Sequence, residues 1–158
     1  YAYLLKQYQD IDCNLLEIGV QYGGSALLWH EYLPKCWMDL VDLKDQVNDV
    51  IWDQLDEDRF DFYETNAYSA TALRTLGNKK YHVIIDDGSH HRNDLKFVAQ
   101  NYYQMLEPGG VMILEDIPDE GLLEELTNLF SPKEQEGVRV FDVRESGRFD
   151  DLIWAIIK

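Results

Sequence analysis

Two acidic clusters stand where short apolar runs give out. Ile85-Asp86-Asp87-Gly88-Ser89-His90-His91 closes one run, and Ile113-Leu114-Glu115-Asp116 closes another. If those runs are neighbouring strands, about 4.8 Å apart, Asp87 reaches Glu115 and Asp116. Carboxylates gathered that closely repel one another unless protons or a cation neutralise them. Oxygen ligands with room left for water suit Mg²⁺, with Mn²⁺ or Ca²⁺ as alternatives. Zinc fits less well, because no cysteine lies near and only His90 and His91 offer nitrogen. His90 follows the acidic turn by a short fixed step and is the candidate general base, since an ordinary imidazole titrates near about 6.5. His91 reads as a solvent-facing or capping residue. A plainer reading stands beside this one: Asp-Gly-Ser often does no more than turn a chain, and Asp116 ahead of Ile117-Pro118 can cap a helix.

A second constellation lies earlier. Glu17-Ile18-Gly19-Val20-Gln21-Tyr22-Gly23-Gly24-Ser25 leads from an apolar run into a helical pattern. Glycines at such a junction let the backbone approach a ligand, and the N–H groups of the following helix favour an anionic group. The spacing is G-x-x-x-G-G, with Gln21 where a dinucleotide fingerprint has its second glycine. That counts against a pyrophosphate and for an adenosyl ligand with a small polar tail. Glu17 would offer an acceptor to the crevice, and Asp42, ending the second apolar run, is placed for two ribose hydroxyls. The plainer reading here is a tight turn beside a solvated Glu17.

The elements that must carry these residues alternate. Strands are expected over 14–18, 37–42, 59–63, 81–86, 111–114, 138–143 and 152–157, and helices over 25–32, 93–106 and 119–129. The Val83-Ile84-Ile85 run suits burial on both faces. Alternating strands and helices call for a parallel sheet covered on both sides. The last two strands, joined through a Gly147 turn, break that rhythm as an antiparallel hairpin at the edge. Together these give an α/β fold, one doubly wound domain over residues 1–158 with a mostly parallel seven-stranded sheet. The acidic stretch from Lys44 to Asp58 carries the weakest pattern.

Composition bounds the function. The 158 residues are 46% hydrophobic, enough for a core, and carry a formal net charge of −16. That balance argues against nucleic acid and anionic membrane surfaces as partners. No apolar run approaches the roughly 18 residues of a membrane span. The two cysteines, Cys13 and Cys36, lie far from any CxxC spacing, which fits buried thiols in a reducing, cytoplasmic setting. Tyr1, Tyr3 and Tyr8 suit either a homo-oligomer interface or a short helix packed on the sheet.

At these residues the chain resembles the class I S-adenosylmethionine-dependent methyltransferases. More narrowly it is similar to the metal-dependent sugar O-methyltransferases of macrolide biosynthesis and the related cephalosporin hydroxylase family. The likeness rests on Leu16-Glu17-Ile18-Gly19 with Gly23-Gly24-Ser25, Asp86-Asp87-Gly88-Ser89-His90, Pro108-Gly109-Gly110 and Glu115-Asp116. Phe141-Asp142-Val143-Arg144 with Gly147-Arg148-Phe149-Asp150-Asp151 add to it. The resemblance implies a Rossmann-like fold and Mg-assisted methyl transfer from S-adenosyl-L-methionine to a hydroxyl of a small molecule, such as a sugar. It implies that Glu17, Gly19 and Ser25 face the cofactor's methionine side, with Gly23 and Gly24 also at the cofactor and Asp42 on the ribose. Asn66 and Ala67 fall near the adenine, where the family often has an acidic residue instead of Asn66, and Asp86 also falls at the cofactor. Asp87, Glu115 and Asp116 match the metal ligands, and His90 the base. Relatives carry extra N-terminal structure, whereas little precedes Leu15 here, so the acceptor side is expected to be open, completed by a partner subunit, or supplied by residues outside this sequence. Two rivals remain: a metal-dependent hydrolase using the same carboxylates, which leaves the glycine loop without a role, and a non-catalytic adenosyl-binding module. A nicotinamide oxidoreductase fails at Gln21.

Overall fold

Seven strands form one sheet: β1 (Cys13–Ile18), β2 (Cys36–Asp42), β3 (Phe60–Glu64), β4 (Tyr81–Asp86), β5 (Leu106–Leu114), β6 (Val138–Asp142) and β7 (Leu152–Ile157). These come from a computed structural model, which describes residues 1–147 and 152–158. The order is β3-β2-β1-β4-β5-β7-β6. β1 to β5 pair in parallel, while β7 runs antiparallel to both β5 and β6. The expected C-terminal pair is therefore present, with β7 slotted inside β6. Arg148 to Asp151, part of the C-terminal likeness, lie outside the described residues.

Seven helices cover the sheet: α1 (Ala2–Leu5), α2 (Gly24–Tyr32), α3 (Asp49–Trp52), α4 (Ala70–Leu76), α5 (Arg92–Asn101), α6 (Glu120–Thr127) and α7 (Pro132–Gln135), counted among the described residues. Alternation along the strands divides the core. Ile84 of β4 joins Leu76, Leu95, Val98 and Leu126 on one face. Val83 and Ile85 turn to the other, with Leu5, Ala26 and Trp29. Burying β4 on both faces is what a Val-Ile-Ile run does best. Tyr8, expected as a surface or packing residue, is buried and donates to the Gly109 carbonyl at 2.8 Å.

Three expectations change. The helix that starts at Arg92 ends at Asn101, and β5 begins at Leu106 rather than 111. Pro108-Gly109-Gly110 rides within the strand because the β4–β5 register shifts there and Gly109 adopts φ +81°, with its N–H held by the Lys158 carbonyl at 3.0 Å. Helix α4 was not foreseen; Ser69 caps it by accepting from the Ala72 N–H at 3.3 Å. The cysteines are buried, as expected, yet not free. Parallel pairing of β1 with β2 sets Cys13 opposite Cys36, their Cα atoms 4.4 Å apart, and they form a disulfide across 23 residues of sequence. Spacing along the chain carries no sign of that, since the contact arises only from strand register.

One buried polar residue serves the sheet itself. Asp39, wholly inaccessible on β2, accepts from Lys79 Nζ at 2.9 Å, Tyr81 Oη at 2.6 Å and Trp37 Nε1 at 3.1 Å. Both of its oxygens are thus supplied with donors, one of them the Lys79 ammonium, which a buried carboxyl group needs.

Candidate active site

The sequence order reverses between β1 and β4, and in an open parallel sheet the crevice at that point, outside the carboxyl ends, is where ligands bind. β1 runs out into Gly19, at φ +88°. A Cβ there would lie 2.5 Å from the Asp87 carbonyl oxygen and 2.6 Å from Gly88 Cα, so the loops after β1 and β4 touch backbone to backbone. Gly23, at φ +86°, backs onto Val47 and Ile51. Asp42 Oδ2 accepts from the N–H groups of Val20 and Gln21, each at 2.8 Å, and Oδ1 from that of Leu43 at 2.6 Å. The residue expected on the ribose thus also braces the glycine loop.

The loop after β4 holds the chemistry. Asp86 is buried; its Oδ1 accepts from the Tyr68 hydroxyl at 2.8 Å, its Oδ2 has no hydrogen-bond partner among the described residues, and burial pushes its pKa up to about 7. Asp87 and His90 follow in this loop and Asp116 comes from beyond the end of β5, the three offering ligand atoms that all lie within 4.8 Å of one another. His90 Nε2 stands 4.0 Å from Asp87 Oδ1, and its Nδ1 is buried without a hydrogen-bond partner among the described residues. Three residues other than glycine have positive φ among the described residues: Gln21 at 48°, His90 at 53° and Asp116 at 49°. All three line the same cavity. Left-handed conformations of side-chain-bearing residues cost free energy and gather where a site over-determines them.

Glu115 takes another direction. Its carboxylate accepts from the Tyr1 hydroxyl, and burial pushes it up to about 7, helped by the charges of Asp87 and Asp116. Tyr1 in turn packs edge-on against Trp29, with ring centroids 4.7 Å apart. Trp29 Nε1 donates to Glu17 Oε1 at 3.0 Å. Glu17 is fully buried and, with Oε2 lacking a hydrogen-bond partner among the described residues, is also pushed up to about 7 by burial.

The cavity enclosed by these loops has a volume of about 760 Å³, inside the range of small-molecule sites. Of the residues singled out from sequence, Gly19, Gly24, Ser25, Asp42, Ala67, Asp87, His90 and Asp116 line it. Gly23, Asp86 and Glu115 are not among its lining residues, nor is Glu17, which was expected to offer an acceptor to the crevice and is instead buried against the Trp29 indole. Asn66 turns away, its Oδ1 accepting from the Tyr68 N–H at 2.9 Å. No lysine or arginine lines the cavity among the described residues, whereas Asp42, Asp87 and Asp116 do. Sequence reasoning passed over Gln21, Thr65, Tyr68 and Ser89 as wall residues. Tyr68 follows Asn66 and Ala67 in the sequence, but nothing in its type marks it.

Residues 16–117 match the methyltransferase domain family. The mycinamicin VI 2''-O-methyltransferase of Micromonospora griseorubida is 24% identical over 121 residues, covering 71% of this chain and 29% of that protein. Among solved structures, the MycE methyltransferase of the mycinamycin biosynthetic pathway, in complex with Mg, SAH and mycinamycin VI, aligns with a TM-score of 0.76 at 19% identity, covering 99% of this chain and 47% of that one. Human methyltransferase-like protein 13 in complex with SAH gives a TM-score of 0.69 at 20% identity, covering 97% and 76%. The chain therefore spans less than half of the mycinamicin-pathway relatives it matches.

Proposed function

The chain belongs to the methyltransferase domain family, class I enzymes that use S-adenosylmethionine, and we propose that it carries out Mg-assisted methyl transfer to a hydroxyl of a small molecule, a sugar being the leading acceptor class. One observation carries the reading: the ion-binding geometry of Asp87, His90 and Asp116 shares a wall with the glycine-loop cavity. The cavity fits the nucleoside on its own features, namely a backbone approach at Gly19 that a Cβ would block, a carboxylate at Asp42 and, among the described residues, no lysine or arginine to repel a sulfonium. The ion fits an oxygen-rich cluster beside a buried imidazole nitrogen that has no hydrogen-bond partner among the described residues. The mycinamicin relative is an O-methyltransferase, which favours a hydroxyl acceptor.

When bound, S-adenosylmethionine supplies an electrophilic methyl group, and Mg²⁺ supplies a Lewis acid that lowers the pKa of an acceptor hydroxyl. The proposed ligands are Asp87, Glu115 and Asp116; Asp87 and Asp116 already offer ligand atoms within 4.8 Å of one another, while Glu115, which precedes Asp116, must leave the Tyr1 hydroxyl to join them. The glycine loop, braced by Asp42, holds the donor still against them, and such alignment is worth up to about 7–11 kcal/mol of barrier. His90 Nε2 takes the hydroxyl proton as the new C–O bond forms, because Nδ1 is shut away. Association into a homo-oligomer would suit an acceptor side completed by a second copy.

Titration calorimetry with SAH, with and without Mg²⁺, tests the reading. Wild type should bind SAH, and Asp87→Ala should keep that binding while losing Mg²⁺-dependent methylation of a sugar or polyol. No SAH binding in the wild type, or undiminished turnover in the variant, sinks it.

A further inference from the structure

Tyr68 is the residue that joins the two halves of this site. It sits on the cavity wall with Thr65 and Ala67, in a segment whose backbone is firmly held: the Thr65 N–H donates to the Asp42 carbonyl at 2.7 Å, and the Tyr102 hydroxyl donates to the Ala67 carbonyl at 2.6 Å. From this fixed base its ring reaches across to the loop after β4. There its hydroxyl donates to Asp86 Oδ1 and accepts from the Ser89 N–H, both at 2.8 Å. The loop wraps the hydroxyl so closely that a Cβ on Gly88 would lie 2.2 Å from it. Ser89 carries the restraint onward, since its Oγ donates to Asp94 Oδ2 at 2.6 Å and accepts from the His91 N–H at 3.3 Å. His90, left-handed at φ 53°, lies between Ser89 and His91, and Asp87 lies between Asp86 and Ser89, the two hydrogen-bond partners of the hydroxyl.

We propose that the Tyr68 hydroxyl is a positioning group that couples the nucleoside cavity to the acidic loop, so that filling the cavity holds Asp87 ready for the ion and His90 in place beside it. This rests on the reading above for the identity of both ligands. A ring that forms part of the cavity wall loses freedom when the cavity fills, and its hydroxyl passes that loss to Ser89 and Asp86. Ligand-supporting groups of this kind alter metal affinity by about 10- to 100-fold when removed. By linkage, whatever SAH does for Mg²⁺ affinity, Mg²⁺ does equally for SAH.

The test compares wild type with Tyr68→Phe, which keeps the ring and deletes only the hydroxyl. Hydrogen exchange at the Ser89 amide is measured without ligand, and SAH and Mg²⁺ are titrated singly and together. In the variant, Ser89 exchange should quicken and Mg²⁺ binding weaken by about 10- to 100-fold. The mutual SAH–Mg²⁺ enhancement should shrink towards none, with binding of SAH alone little changed. A merely structural loss would lower the melting temperature while leaving that mutual enhancement intact. If the variant fails to fold, Tyr68→Phe/Asp86→Asn removes the carboxylate left without a donor and should show the same losses. Unchanged Ser89 exchange, or an undiminished mutual enhancement, overturns the inference. Absence of SAH binding in the wild type instead brings down the proposed function, and is seen before any variant is compared.

Discussion

Replacing Glu17 with Gln should alter how stability depends on pH more than it alters stability itself. Glu17 is wholly buried, with one oxygen on the Trp29 indole and the other lacking a hydrogen-bond partner among the described residues. Burial raises its pKa from 4.5 to about 7. A carboxyl raised on folding binds its proton more tightly in the native state, so the native chain holds more protons than the unfolded one between those two values, and stability falls as pH rises through them. The stabilisation is complete below about 4.5, is lost progressively up to about 7 and changes no further above that. A shift of that size corresponds to about 3 kcal/mol. Gln cannot ionise, so its hydrogen-bonding differences enter as a constant offset. Urea unfolding of both proteins from pH 4 to pH 8 gives the comparison, and wild type should lose about 3 kcal/mol relative to Glu17→Gln across that range. A difference that stays flat with pH would show that Glu17 is not held in a charge-averse place, and would refute the reasoning.

Two further perturbations follow from distances. Gly19→Ala places a methyl group against the Asp87 carbonyl and Gly88 Cα at a left-handed φ, so SAH binding should be lost and the melting temperature lowered, at a cost of about 1–3 kcal/mol; calorimetry and thermal unfolding check both. Asp39→Ala leaves the buried Tyr81 hydroxyl without its acceptor and should destabilise by about 1–3 kcal/mol while sparing SAH affinity, read from urea unfolding and calorimetry.

The sheet was legible because burial on both faces demands unbroken apolar runs, and β4 and β7 begin and end where those runs do. The two acidic strand ends were legible for the same reason: a strand's last residue locates the crevice. What escaped was long-range or conformational. Nothing in the letter Asp distinguishes Asp39, a buried anchor, from Asp61 one strand away. The Tyr1–Glu115 contact spans 114 residues, and it takes Glu115 away from the grouping in which His90 instead joins Asp87 and Asp116. The left-handed turns at Gln21, His90 and Asp116 fall on residues that do not advertise them as glycine does. Helix α4, Ala70-Thr71-Ala72-Leu73-Arg74-Thr75-Leu76, contains two threonines and forms because Ser69 starts it and the core takes Ala72 and Leu76.

A chamber with three aspartates in its wall and no lysine or arginine among the described residues is an electrostatic one-way preference. Anionic guests such as phosphate esters are turned back by the same field that draws cations in. A donor that enters bearing a positive sulfur and departs as an uncharged thioether would be gripped on arrival and released once spent, a bias against product lingering that no single contact has to supply.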